Sequence, residues 1–271
     1  MNTEALIRPA AVAGMFYPDS PSELAQEVES LLTDAAVNLP SVPKALIVPH
    51  AGYVYSGPVA ASAYAALVPA RSSIRRVVLL GPAHRVAIRG LALPLATGFA
   101  TPLGTVALDA ALAQAVLDLP QVSQSDAPHQ QEHSLEVQLP FLQALLENFT
   151  LLPLTVGNAS SEEVAEVLDR VWGGPETLIV ISSDLSHYHD YAEAQRLDSA
   201  TAGQILALSP LSSHEQACGA IPVNALIRCA KKRGLKPYLL DLRNSGDTAG
   251  DKSRVVGYGA FIFSEDPDHE G

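Results

Sequence analysis

The 271-residue sequence predicts an α/β protein: one domain over residues 1–271, with a mixed central β-sheet and helices on both faces. Two observations carry this. Short apolar runs bounded by Pro or Gly alternate with longer stretches of helical spacing, the pattern of strands buried between two helix layers. Hydrophobic residues make up 48% and charged residues 17%, which is a globular composition able to bury a large core unaided. The chain has no internal repeat, no low-complexity stretch and no Pro/Gly/Ser linker that would divide it.

Strands are expected at 45–48, 77–80, 91–95, 151–156, 178–181, 238–242 and 255–263. Pro94 and Pro153 fall inside two of these runs. A residue without an N–H demotes such a strand to an edge or a bulge. Helical spacing covers 22–32, 57–67, 110–117, 133–146, 161–171, 192–206 and 222–233. Pro140 would clash with the Glu136 carbonyl inside a helix, so 133–146 must kink or start late. Ser56 suits the N-cap of a helix beginning near Gly57. Pro222 suits a first helical position, and Lys231-Lys232-Arg233 a solvated C-terminal turn. Gly98 and Pro102 separate 91–95 from 104–108. These turn formers predict an antiparallel hairpin between the two runs, and so a mixed sheet. The acidic tail 265–271 is expected to fray.

The formal net charge of −12 repels phosphate backbones and argues against nucleic-acid binding. Cys218 and Cys229 lie eleven apart without a CxxC, which supports neither a zinc knuckle nor a disulfide framework. The N-terminus lacks a signal-peptide pattern, and no apolar run approaches the ~20 residues that span a bilayer. Cytoplasmic residence without a membrane partner is the expectation.

Ligands of open α/β sheets bind beyond the carboxyl ends of strands. The run at 45–48 is followed by Pro49-His50-Ala51-Gly52-Tyr53, and that at 77–80 by Gly81-Pro82-Ala83-His84. The run at 178–181 leads into Ser182-Ser183-Asp184-Leu185-Ser186-His187-Tyr188-His189, and that at 238–242 into Arg243-Asn244-Ser245-Gly246-Asp247-Thr248. Three strands thus each deliver a histidine. One such histidine is usually a solvated loop residue, but three at equivalent positions point to a site. Imidazole serves there as metal ligand or as general base, and two imidazoles with one carboxylate form the non-heme iron arrangement. In Glu132-His133-Ser134-Leu135-Glu136 the spacing is not HExxH, so a zinc-protease motif is excluded. His133 and Glu136 would share a helix face, or the acidic groups simply favour a helix start. Tyr53, Tyr55 and Ser56 either bond a ligand or cap a helix. Cys218 is either a thiol tuned by a helix start or a buried, inert one.

These segments, with Arg8-Pro9-Ala10-Ala11-Val12-Ala13-Gly14-Met15-Phe16-Tyr17-Pro18, Val54-Tyr55-Ser56-Gly57, Cys218-Gly219 and Pro222, resemble the Memo family in order and over nearly the whole chain. The family is also named as protein B of the AmmeMemoRadiSam system. The resemblance implies a fold similar to class III extradiol ring-cleavage dioxygenases, which hold ferrous iron with two histidines and a glutamate and use a further histidine as acid/base. It implies His50 and His84 as metal-binding imidazoles and His187 as the third site histidine, with Asp184 beside it. Animal members carry a cysteine at the position of Thr248, counted back from Tyr258. Here Asp247, adjacent, is the carboxylate that would complete a two-His-one-carboxylate set, unless it is only a turn aspartate.

The resulting expectation is a metal-dependent oxidoreductase, dioxygenase-like, acting on a small organic substrate. Its cofactor would be a divalent metal, Fe(II) first and zinc or copper as alternatives. His50, His84 and Asp247 would bind it. His187 would be the acid/base oriented by Asp184, and His133 would donate a hydrogen bond to substrate. Tyr53, Glu132 and Ser245 would be lesser polar contacts. The alternatives are a non-catalytic binding or adaptor protein with a vestigial site and a peptide ligand, or a zinc-type hydrolase. The radical-SAM protein of the same system is an implied partner.

Overall fold

The structure, a computed structural model, describes residues 6–35 and 42–265, so tail residues 266–271 lie outside the described residues. Among the described residues the strands run, in chain order, as β1 (Ile7–Arg8), β2 (Ala45–Val48), β3 (Arg76–Pro82), β4 (Leu91–Leu93), β5 (Gly98–Thr101), β6 (Gly104–Ala107), β7 (Val122–Gln124), β8 (Thr150–Val156), β9 (Thr177–Ser182), β10 (His187–His189), β11 (Lys236–Asn244) and β12 (Val255–Ser264). The α-helices are α1 (Pro21–Asp34), α2 (Tyr53–Ala65), α3 (Ala110–Val116), α4 (Ala127–Gln130), α5 (Leu139–Leu145), α6 (Ser161–Val171), α7 (Tyr191–Leu206), α8 (Ala220–Arg233) and α9 (Ser245–Thr248). No helix among them is long and apolar enough to cross a membrane.

The main sheet is mixed, in the order β10-β12-β2-β9-β3-β8-β4-β7, with β11 also on β12. Strands β2, β9, β3 and β8 are mutually parallel, while β12 and β4 run antiparallel to their neighbours β2 and β8. Successive side chains of a strand point to opposite faces, and both faces here are apolar. Leu46, Val48, Val77 and Leu79 enter the core that holds α1, α2 and α5. Ala45, Ile47, Val78 and Leu80 enter the core that holds α6, α7 and α8. This is why the parallel strands read as unbroken apolar runs.

Several expectations shift. Pro153 sits in an interior strand rather than at an edge or bulge: β8 pairs with β3 throughout, Pro153 opposite Leu79. The Leu151 carbonyl accepts from Asp109, away from β3, and Pro153, two residues on, faces the same way. On that side β4 pairs only with Thr155 and Val156, so no ladder bond needs the missing N–H. The hairpin forms between β5 and β6 in a separate three-stranded sheet with β1, not between 91–95 and 104–108. Residues 91–93 instead join the main sheet, where the strand stops before Pro94. Helix α2 starts at Tyr53 with Gly52 as its N-cap, and Ser56 lies inside it, its hydroxyl donating to the Ala51 carbonyl at 2.9 Å. Helix α8 starts at Ala220, so Pro222 is its third residue, where the N–H is still unclaimed by the helix. That helix ends as expected, with Lys231-Lys232-Arg233 in its last turn and Gly234 at φ 68°.

Candidate functional site

Strands β2, β9 and β3 are neighbours, so their carboxyl ends bring His50, Asp184 with His187, and His84 to one crevice. The fourth contributor, His133, was expected on a helix. That helix starts late, as Pro140 requires: a 3₁₀ turn at Glu136–Gln138 precedes α5, and Pro140 falls in the first turn of α5. Residues 132–135 are therefore an irregular loop laid across the end of β3. Gly81 permits the approach, since a Cβ there would lie 2.9 Å from Ser134 Oγ and 3.0 Å from a Leu135 methyl.

His50, His84 and His133 each offer a ring nitrogen, and these atoms lie within 4.8 Å of one another. The hydrogen bonds settle which nitrogens face inward. Ser182 Oγ donates its proton to the Ser134 carbonyl at 2.5 Å, so it accepts from Gln138 Nε2 at 2.8 Å and from His50 Nδ1 at 2.9 Å. His50 thus carries its proton on Nδ1 and presents a lone pair at Nε2. His84 Nδ1 donates to Glu132 Oε1 at 2.9 Å, which leaves Nε2 as its other ring nitrogen for the site. His133 Nδ1 lies 3.3 Å from that same oxygen, off line for a hydrogen bond, and its ring stacks on His84 with centroids 4.7 Å apart. One carboxylate thus backs two imidazoles, as outer-shell carboxylates do behind metal ligands.

Electrostatics favour the neutral, ligating form of the His50 and His133 rings. Burial pushes the His50 imidazole down to about 3, helped by His84, and the His133 imidazole down to about 4, helped by His50. Burial alone would raise the Glu132 carboxyl. The His84 ring and the N–H groups of Ser134 and His84 outweigh it and hold Glu132 at about 2. The donor set therefore fits a divalent metal: neutral imidazoles at His50 and His133, Nδ1 atoms tied back at His50 and His84, and a fixed anion behind them.

The cavity over these rings has a volume of about 620 Å³. Phe16, His187, Tyr188, Ser245 and Tyr258 are among its walls. His187 Nδ1 donates to the Leu185 carbonyl at 2.8 Å, and its Nε2 has no hydrogen-bond partner among the described residues. That carbonyl, not Asp184, hydrogen-bonds the ring. Asp184 instead accepts from the His50 amide at 2.7 Å, and its other oxygen lies 4.0 Å from His50 Nε2. Burial raises the Asp184 carboxyl above its ordinary range.

Asp247 stands outside the imidazole group. Its Oδ2 accepts from the Asn244 amide at 2.9 Å in a capping box at the start of α9, and its Oδ1 accepts from the Tyr191 hydroxyl. The turn-aspartate alternative describes its contacts. Thr248 donates to the Ser245 carbonyl at 3.2 Å. Tyr53 is buried behind the site, donating to the Val137 carbonyl at 2.7 Å, whereas Tyr55 lines the cavity. Ser245 lines it while accepting from the Val256 amide at 3.1 Å.

One group was seen in sequence without its place. Cys218 Sγ lies 3.3 Å from His50 Nε2 and accepts from the Asp184 amide at 3.3 Å. Burial, with the Asp184 charge, pushes its thiol up to about 12, so it is a neutral neighbour of the site. Cys-Gly before a helix was the only signal.

The pH dependence of stability follows from these imidazoles. His50 and His133, and His129, which burial lowers to about 4, all protonate more readily when unfolded, near 6.5. A lowered folded value contributes stability above the unfolded value and loses it as pH falls toward the folded one. Asp184, raised by burial, titrates in the opposite sense and offsets part of the loss. Each imidazole is expected to cost about 1–2 kcal/mol between pH 7 and pH 5. Urea midpoints of the metal-free protein at the two values check this, and equal midpoints would contradict it.

A mixed α/β sheet whose adjoining strand ends, with the 132–135 loop, bring three imidazoles together defines a protein with a side-chain group that could hold a metal ion. A family model described as Memo-like protein matches residues 8–262. A "MEMO1 family protein" of Aquifex aeolicus is 37% identical over 273 residues, 95% of this chain and 99% of the relative. One of Sulfolobus acidocaldarius is 35% identical over 285 residues, 96% of this chain and 100% of the relative. One of Methanopyrus kandleri is 36% identical over 293 residues, 94% and 98% respectively. The chain belongs to the Memo family.

Proposed function

We propose that the protein is a metal-dependent oxidoreductase, dioxygenase-like, that takes a small organic substrate into the cavity above His50, His84 and His133. The convergence of these three imidazoles within 4.8 Å, beneath a cavity that also holds His187, carries the reading. Ferrous iron bound there would supply Lewis acidity toward a substrate oxygen and electrons toward dioxygen. The chain's own groups do the rest. Glu132 and Ser182 hold the ligating rings. His187, with Nδ1 tied to Leu185, accepts a substrate proton at Nε2. Phe16, tilted against His133 with ring centroids 4.8 Å apart, shields that ring from water.

One observation favours a second reading. A set of three imidazoles without a carboxylate also matches catalytic zinc, which would make the protein a hydrolase using a metal-activated water.

Metal analysis after anaerobic purification tests both. Stoichiometric iron with dioxygen uptake on a catechol panel is the expected result. Stoichiometric zinc without uptake selects the hydrolase. No stoichiometric metal, together with no change of melting temperature on adding iron or zinc, would sink both. His50→Ala and His133→Ala are expected to abolish stoichiometric metal, while Asp247→Ala leaves it unchanged. A loss on Asp247→Ala would restore the carboxylate to the ligand set.

A further inference from the structure

We infer that the cavity selects an aromatic carboxylic acid, with Arg85 and Arg254 receiving the carboxylate. The inference rests on the reading of this cavity as the substrate site and adds the chemical class of its occupant.

The chain carries net charge −12, yet two guanidinium groups line this one cavity. Among the described residues, neither Arg85 nor Arg254 has a carboxylate within ion-pair distance or a hydrogen-bond acceptor. Two carboxylates, Asp184 and Asp251, also line the cavity, and each is engaged by a backbone amide. Asp184 accepts from the His50 amide, and Asp251 accepts from the Ser253 amide at 2.5 Å. Two guanidinium forks without ion-pair partners, lining one cavity of an otherwise acidic protein, suit a planar anion.

The aromatic half of the inference comes from the walls. Aromatic residues make up 6% of the chain, yet Phe16, Tyr55, Tyr188 and Tyr258 all line the cavity. Tyr188 is held at φ 63°, a left-handed conformation that costs a non-glycine residue energy and marks functional positions. The residue is 64% exposed, and the Arg254 guanidinium lies over its ring at 5.0 Å. A strained, solvent-facing tyrosine bearing a cation suits a flat ring with an anionic substituent.

Binding of a benzoate series (benzoate, 4-hydroxybenzoate and 3,4-dihydroxybenzoate) is compared with that of the matching neutral benzamides. It is measured by titration calorimetry on the full chain as purified and again after chelator treatment. The acids are expected to bind at least about tenfold more tightly than the amides, as one charge-assisted pair provides. The preference should shrink with added salt. The Arg85→Gln/Arg254→Gln double variant is expected to lose it, with the melting temperature unchanged because both side chains are exposed. Equal binding of acids and amides, a preference that survives in the double variant, or no binding of any acid overturns the inference. So does a preference that vanishes on chelation, since a carboxylate–metal bond then carries it. That last outcome leaves the metal reading intact, whereas a protein that carries no stoichiometric metal as purified and still prefers the acids removes the metal reading alone.

Discussion

Replacing Glu136 by alanine is expected to lower folding stability by about 3–5 kcal/mol, the cost of stranding a buried charge. Glu136 is fully buried and accepts from Arg8 Nη1 at 2.6 Å, from the Ala11 amide at 2.8 Å, from the Val12 amide at 2.9 Å and from the Tyr17 hydroxyl at 2.6 Å. Burial, with the neighbouring Glu136 charge, raises the Tyr17 hydroxyl, so it remains a donor. Removing the carboxylate leaves an arginine, two amides and a hydroxyl without their acceptor. The damage reaches the site, because Arg8 also donates to the His129 carbonyl at 2.6 Å and the Glu132 carbonyl at 2.8 Å. Urea unfolding of Glu136→Ala, Arg8→Met and the double variant measures the pair. The double variant should be less destabilised than the sum of the singles. A Glu136→Ala loss below about 1 kcal/mol, at unchanged m, would falsify this account.

The second large effect is expected at Glu132. In Glu132→Gln, one position of the side chain becomes an NH₂ group facing donors. Oε2 accepts from the His84 amide at 2.6 Å, and Oε1 accepts from His84 Nδ1 at 2.9 Å and from the His133 and Ser134 amides, each at 3.0 Å. Whichever way the amide turns, at least one partly or fully buried donor meets another donor, which costs about 1–3 kcal/mol. His84 also loses the anion that fixes its tautomer, so metal affinity should fall about 10–100-fold. Competition with a chromogenic chelator reads the second effect separately from thermal unfolding. Unchanged metal affinity would show that Glu132 is only a fold-stabilising group.

Much of the architecture was legible because burial on both faces writes itself into composition. The runs at 45–48 and 161–171 match an observed strand and helix at both ends. Ser160 and Glu163 explain the second case, since their reciprocal capping bonds start α6 where the apolar period begins. The short strands β1, β5, β7 and β10 left no comparable trace. None of them is an unbroken aliphatic run like 45–48, two to four residues cannot establish a period in its place, and their pairing depends on partners far along the chain.

His50 and His84 stood out in sequence because each follows an apolar run that a buried strand requires, and the end of a strand is where its side chains leave the core. The chain alone thus determined the α/β class, the two-faced sheet, and the fact that histidines cluster at strand ends. It was the tertiary structure that chose the third imidazole. His133 comes 49 residues after His84 and 83 after His50, on a loop whose position depends on the missing Cβ of Gly81 and on the Arg8–Glu136 pair. Asp247 had the right chemistry for a ligand, but local hydrogen bonds to Asn244 and Tyr191 claim its oxygens. Residue type announces what a side chain can do. Which atoms meet is decided by strand order and by the competing hydrogen bonds of the fold, and neither is local in sequence.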